Sequence, residues 1–119
     1  MPQMDAETLR VLDATAEVDI ETGRGRRTIW IVVDGSNAYI RSVRGPAGAW
    51  YRAVQREPLA RLHVDGRALQ IRLVPVNEAG EIERVSAALD KKYRSRWPGP
   101  TDAMLREEVL GTTLRVDPA

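Results

Sequence analysis

The chain has 119 residues, 43% hydrophobic and 29% charged, with a formal net charge of +1. That is the length of one ordinary domain and the composition of a globular chain, which excludes a disordered polyelectrolyte and argues against nucleic acid as a partner. It has no cysteine and one histidine, so disulfides, thiolate nucleophiles and cysteine-ligated metals are excluded, and no metal site is expected.

Residues 1–16 are read as an N-terminal helical segment. Met4–Ala14 predicts a short helix capped by Asp5, with Leu9 and Leu12 three apart on one face. The first residues, Met1-Pro2-Gln3-Met4-Asp5, show no basic stretch followed by an apolar core, so no secretory leader is expected and the cytoplasm is the default compartment. The longest apolar run, Ile29–Val33, is strand length, far short of a bilayer span.

Residues 17–76 are read as the core of a barrel. Val18–Thr22 alternates as a strand, and Gly23-Arg24-Gly25-Arg26 breaks it. Thr28–Val33 is β-branched or aromatic throughout and predicts the strongest strand. Asp34-Gly35-Ser36-Asn37 predicts a turn, after which Ala38–Val43 returns as the second strand of a hairpin. On that strand Tyr39, Arg41 and Val43 share one face, while Ile40 and Ser42 share the other. Arg41 is a charge at a half-buried position, which demands either a ligand or an Asp or Glu partner. Gly45-Pro46-Ala47-Gly48 is a loop, and Ala49–Arg56 predicts a helix stopped by Glu57-Pro58. Ala60–Val64 and Ala68–Val76 predict a second hairpin across Asp65-Gly66.

Residues 77–110 are read as helices. Glu81–Arg94 is amphipathic through Ile82, Val85, Leu89 and Tyr93. Trp97-Pro98-Gly99-Pro100 ends that unit, and Thr101 or Asp102 is expected to cap a last helix running to about Val109. In residues 111–119, Thr113–Val116 is a closing strand. The whole is expected to be one α+β domain over residues 1–119. Its architecture is a small antiparallel split β-barrel of about six strands with an N-terminal helix, a short inserted helix and two C-terminal helices.

No acid–base pair or nucleophilic triad can be assembled from spacing, so catalytic residues stay unassigned. His63, alone on a strand, reads as structural. Arg26, Arg27 and Thr28 form a cluster able to grip a phosphate, and Trp30, Trp50 and Tyr51 are rings that can stack on a planar ligand or pack in a core.

Specific segments resemble a known group. They are Arg26-Arg27-Thr28-Ile29-Trp30-Ile31-Val32-Val33-Asp34-Gly35, then Tyr39-Ile40-Arg41-Ser42, Trp50-Tyr51-Arg52 and Glu57-Pro58. Over about residues 17–117 the chain resembles the split β-barrel superfamily, which includes pyridoxamine-phosphate-oxidase-like flavoproteins and deazaflavin-dependent nitroreductases. Lys91-Lys92-Tyr93 and Thr112-Thr113-Leu114-Arg115-Val116 resemble a small uncharacterised bacterial family related to them. The resemblance implies a homodimer with flavin mononucleotide (FMN) or a deazaflavin at the subunit interface. It places the cofactor contacts on Arg26, Arg27, Thr28, Arg41, Ser42, Arg44, Trp50 and Tyr51. The implied activity is that of an oxidoreductase acting on a small organic molecule, with no membrane partner. Two readings stay open beside it. One is a cofactor-free small-molecule binder, or an isomerase or cyclase using an apolar cavity; the other is a structural or interaction domain. On the bare strand geometry Arg41 and Ser42 point to opposite sides, so one ligand cannot contact both without a bulge.

Overall fold

The computed structural model describes residues 3–119; Met1 and Pro2, where the reading of the N-terminus begins, lie outside the described residues. Helix α1 (Ala6–Ala14) starts where Asp5 accepts the Thr8 N–H at 2.7 Å, and it buries Leu9 and Leu12. Strand β1 (Glu17–Thr22) follows and turns at Gly23-Arg24 into β2 (Gly25–Trp30), to which it pairs antiparallel from Glu17↔Trp30 to Thr22↔Gly25. Arg26 and Arg27 are thus within a strand, not ahead of one. The segment predicted as a break is the bend of a hairpin, because two residues suffice to reverse a strand pair.

The apolar run Thr28–Val33 does not form one strand. It divides at Ile31 into β2 and β3 (Val32–Asp34), and β3 pairs with β4 (Asn37–Ile40). The remaining elements are α2 (Ala49–Arg56), β5 (Leu59–Val64), β6 (Arg67–Pro75), α3 (Ala79–Tyr93), α4 (Pro98–Met104), α5 (Glu107–Leu110) and β7 (Leu114–Pro118). The strands form a seven-stranded antiparallel sheet in the order β2-β1-β5-β6-β7-β4-β3. The two edge strands are therefore consecutive in the chain. The sheet curls until its two edges meet only at Ile31, which makes it a split barrel of seven strands where about six were expected.

Residues far along the chain hold that corner. The Ile31 N–H donates to the Tyr93 hydroxyl at 3.1 Å, and that hydroxyl lies 2.6 Å from the Ala16 carbonyl and 3.0 Å from the Ile31 carbonyl. The Lys92 ammonium donates to the Ile31 carbonyl at 2.7 Å and to the Leu12 carbonyl at 3.0 Å. Backbone groups released where the strand breaks are thus satisfied by the end of α3, as buried polar groups must be.

Two apolar clusters fill the fold. The barrel interior is built from alternating positions such as Val18, Ile20, Leu62 and Ile71. On the outer face of β3 and β4, Val32 and Tyr39 pack against Val85, Leu89 and Tyr93 of α3. The second hairpin turns as expected: Asp65 and Gly66 take φ 52 and 72, the left-handed pair that a two-residue turn requires. The last helix differs from expectation. Pro98 opens α4, and Thr101 is fully buried inside it, donating to the Trp97 carbonyl at 2.7 Å. α5 is separate, so three helices, not two, precede β7. That strand lies between β6 and β4 in the middle of the sheet. Among the described residues, no helix is long and apolar enough to cross a membrane.

Candidate functional site

The split in the barrel leaves a groove between β2 and residues 41–44, which leave the end of β4. It consists of two adjoining clefts of about 540 and 360 Å³ that share Thr28, Val43 and Trp50.

The larger cleft is aromatic. All three tryptophans of the chain, Trp30, Trp50 and Trp97, border it together with Ile29 and Met104. Trp30 stacks on Tyr93 with ring centres 4.0 Å apart and planes 6° from parallel, and Trp97 lies 5.6 Å from Trp30. Trp30 is thus both a packing residue and a wall of the groove. An exposed carboxylate, Glu17, stands at the rim.

Arg41 also borders this larger cleft, yet it is only 1% exposed. Its Nε donates to the Thr113 hydroxyl at 2.8 Å, and its two Nη atoms donate to the Met104 carbonyl at 3.1 Å and the Ile82 carbonyl at 2.8 Å. The expected partner was a ligand or a carboxylate; the structure supplies two backbone carbonyls and a hydroxyl instead. Burial pushes the guanidinium down to about 10.

The smaller cleft is basic. Arg27 and Arg44 border it with Ser42, the Gly48 turn and the first residues of α2. Neither arginine is in an ion pair among the described residues; Arg27 reaches only the Arg26 carbonyl, at 2.9 Å. Ser42 does not offer its hydroxyl freely, since Oγ donates to the Gly45 carbonyl at 2.8 Å. A Cβ at Gly48 would sit 2.4 Å from that oxygen, so only glycine fits at this turn. Gly48 caps α2 without a side chain, which leaves the N–H groups of the first turn as donors beside the two guanidinium groups.

Of the eight residues singled out from the sequence, the structure gathers Arg27, Thr28, Arg41, Ser42, Arg44 and Trp50 along this groove. Arg41 and Ser42 face different clefts, but not by strand alternation. The strand expected over Ala38–Val43 ends at Ile40, and both residues lie beyond it, where Arg41 is held by Thr113, Met104 and Ile82 and Ser42 by Thr112 and Gly45. Arg26 and Tyr51 are placed elsewhere. Arg26 pairs with Asp19 at 3.1 Å, and Thr28, which borders the groove, has its hydroxyl engaged by the same carboxylate at 2.8 Å. The Thr28 bond, with Arg26 beside it, holds the Asp19 carboxyl below its ordinary range. Tyr51 is buried under Trp50, edge-on to it at 6.2 Å. His63 meets Glu21 at 2.7 Å, outside the groove.

Sequence reasoning missed Glu17, Ile29, Trp97 and Met104 as groove residues. Trp97 had one available signal: in a chain with no Phe and three Trp, each indole is a scarce large surface.

Solved structures share this fold. A protein from Listeria innocua, provisionally described as a pyridoxamine 5′-phosphate oxidase, superposes with a TM-score of 0.62 at 13% identity, covering 95% of this chain and 90% of its own. A protein from Bacteroides thetaiotaomicron, provisionally described as a 5-nitroimidazole antibiotic resistance protein, gives 0.63 at 10% identity, over 99% of this chain and 82% of its own. An F420-H2-dependent reductase gives 0.59 at 12% identity, over 86% and 94%. At these identities the likeness establishes the fold. No curated protein matches the chain. A family model described as an uncharacterised protein conserved in bacteria, DUF2255, matches residues 5–116. The chain belongs to that family, and its fold is the split barrel that these structures share.

Proposed function

We propose that the groove binds a flavin- or deazaflavin-like ligand, with the planar ring in the aromatic cleft and a phosphate in the basic one. The observation that carries this reading is the contiguity of the two clefts through Thr28, Val43 and Trp50. A flat apolar wall beside two unpaired guanidinium groups suits a ring joined to an anion. The residues present fit such a group: Arg27, Arg44 and the first turn of α2 would hold its phosphate, and Trp30, Trp50 and Trp97 would flank its ring.

A bound flavin or deazaflavin supplies hydride chemistry, and the protein then supplies position and electrostatics. On this reading the chain is an oxidoreductase acting on a small organic molecule in the cytoplasm. It works as a homodimer in which a second copy covers the open side of the groove.

Titration with FMN and with a deazaflavin tests the proposal, read by quenching of the tryptophans that border the cleft. Saturable quenching with a Kd on the order of tens of micromolar or below is expected for at least one of them. No response to either would overturn the cofactor reading. A sedimentation mass of one chain would overturn the dimer.

A further inference from the structure

Arg41 is a buried cation without a counter-charge. A charge so far removed from water is ordinarily matched by an opposite one, because desolvation disfavours the charged form. Here each guanidinium nitrogen has a partner, but every partner is neutral: the Thr113 hydroxyl and the carbonyls of Met104 and Ile82. No carboxylate lies within ion-pair distance of it among the described residues, and burial alone accounts for the lowering of its pKa. Each of its three nitrogens makes a hydrogen bond, while its charge has no counterpart. It borders the aromatic cleft.

The other charges nearby are of a different kind. Glu17 is exposed at the rim, and Arg96 lies over the Trp97 ring at 4.5 Å without bordering the cleft. Water and salt screen exposed groups, whereas the same separation carries several times more energy at an interior dielectric. Of the charges that border the cleft, Arg41 is the buried one.

We propose that Arg41 is the fixed counter-charge of the aromatic cleft, and that this cleft selects flat ring systems carrying negative charge over neutral or cationic rings of the same shape. The inference rests on the cofactor reading in taking this cleft as the place where a ring sits. It adds the charge of that ring. It gives Arg41 a role distinct from gripping phosphate, which the basic cleft on the other side of Val43 would do through Arg27 and Arg44.

Three probes of one shape test it: 2-naphthoate, 2-naphthamide and 2-naphthamidine. The shifts of the three indole N–H resonances report occupancy. The carboxylate is expected to bind about tenfold more tightly than the amide, with the amidine weakest. Equal affinities in the wild type, or an amidine preference, would overturn the proposal. The ranking should persist in an Arg27→Ala/Arg44→Ala double variant; its loss there would mean that the basic cleft reads the carboxylate, which also overturns the proposal. Arg41→Lys, which keeps the charge and loses the fork, should preserve the ranking, and Arg41→Met should abolish it. Should Arg41→Met fail to fold, the wild-type and lysine measurements decide. A parallel FMN titration of the wild type separates the two claims: FMN binding without a charge ranking leaves the cofactor reading standing, and a ranking without FMN binding leaves Arg41's role standing alone.

Discussion

The two clefts use arginine in opposite ways. In the aromatic cleft, Arg41 is buried and every nitrogen is held by the protein, so it cannot swing toward a ligand. In the basic cleft, Arg27 and Arg44 are exposed, outside any ion pair among the described residues, and able to reorient around an anion. Arg41 ties the end of β4 to the end of α4, to Thr113 before β7 and to α3; Arg27 and Arg44 tie nothing together. The same residue type thus serves as a structural and electrostatic fixture on one side of Val43 and as a set of free donors on the other. An arginine's role follows from how completely its fork is already engaged.

The largest expected effect comes from breaking the fixture. Arg41→Ala leaves two carbonyls and a hydroxyl without a donor and opens a cavity, so it should cost about 3 kcal/mol or more of stability in chemical denaturation. Tyr93→Phe removes the hydroxyl that holds Ile31 and Ala16 together at the corner, and should cost about 1–3 kcal/mol. Arg27→Ala and Arg44→Ala should invert the pattern: stability unchanged within about 0.5 kcal/mol, and FMN affinity reduced about tenfold by each. A loss of stability on that side, or none on the Arg41 side, would break the comparison.

A separate effect is a pH dependence at the corner. Burial lowers Lys92 from its ordinary 10.5 to about 8 in the folded chain. Between those values the unfolded chain holds more protons, so the Lys92 contribution to stability rises with pH from about 8 toward 10.5. Tyr93 and Tyr39, both raised to about 12 chiefly by burial, oppose this above about pH 10. Denaturation midpoints should therefore rise between pH 8 and 10 in the wild type and show no such rise in Lys92→Met.

Much of the fold was legible because the elements concerned are local. The second hairpin announces itself through Asp65-Gly66 and strict alternation. α2 ends where Glu57-Pro58 says it must, and α3 shows its stripe from Ile82 to Tyr93. The break at Ile31 was not legible, because Tyr93 and Lys92, over 60 residues away, hold the backbone there. The site was legible in part. Arg27, Thr28, Arg44 and Trp50 were expected together from the family resemblance, and they border the groove. Trp97 and Met104 reach the groove only through the packing of α3 and α4, which leaves no local pattern. Arg26 read like Arg27, yet alternation along β2 sends it to the opposite face and onto Asp19.

Comparison of FMN with riboflavin tests most directly whether the two clefts act as one site, since the two ligands share a ring and differ by the phosphate. Tryptophan quenching should give FMN the higher affinity in the wild type, by about tenfold or more, and nearly equal affinities in the Arg27→Ala/Arg44→Ala double variant. Equal affinities in the wild type, or a phosphate advantage that survives the double variant, would contradict a groove divided into a ring-binding and a phosphate-binding half.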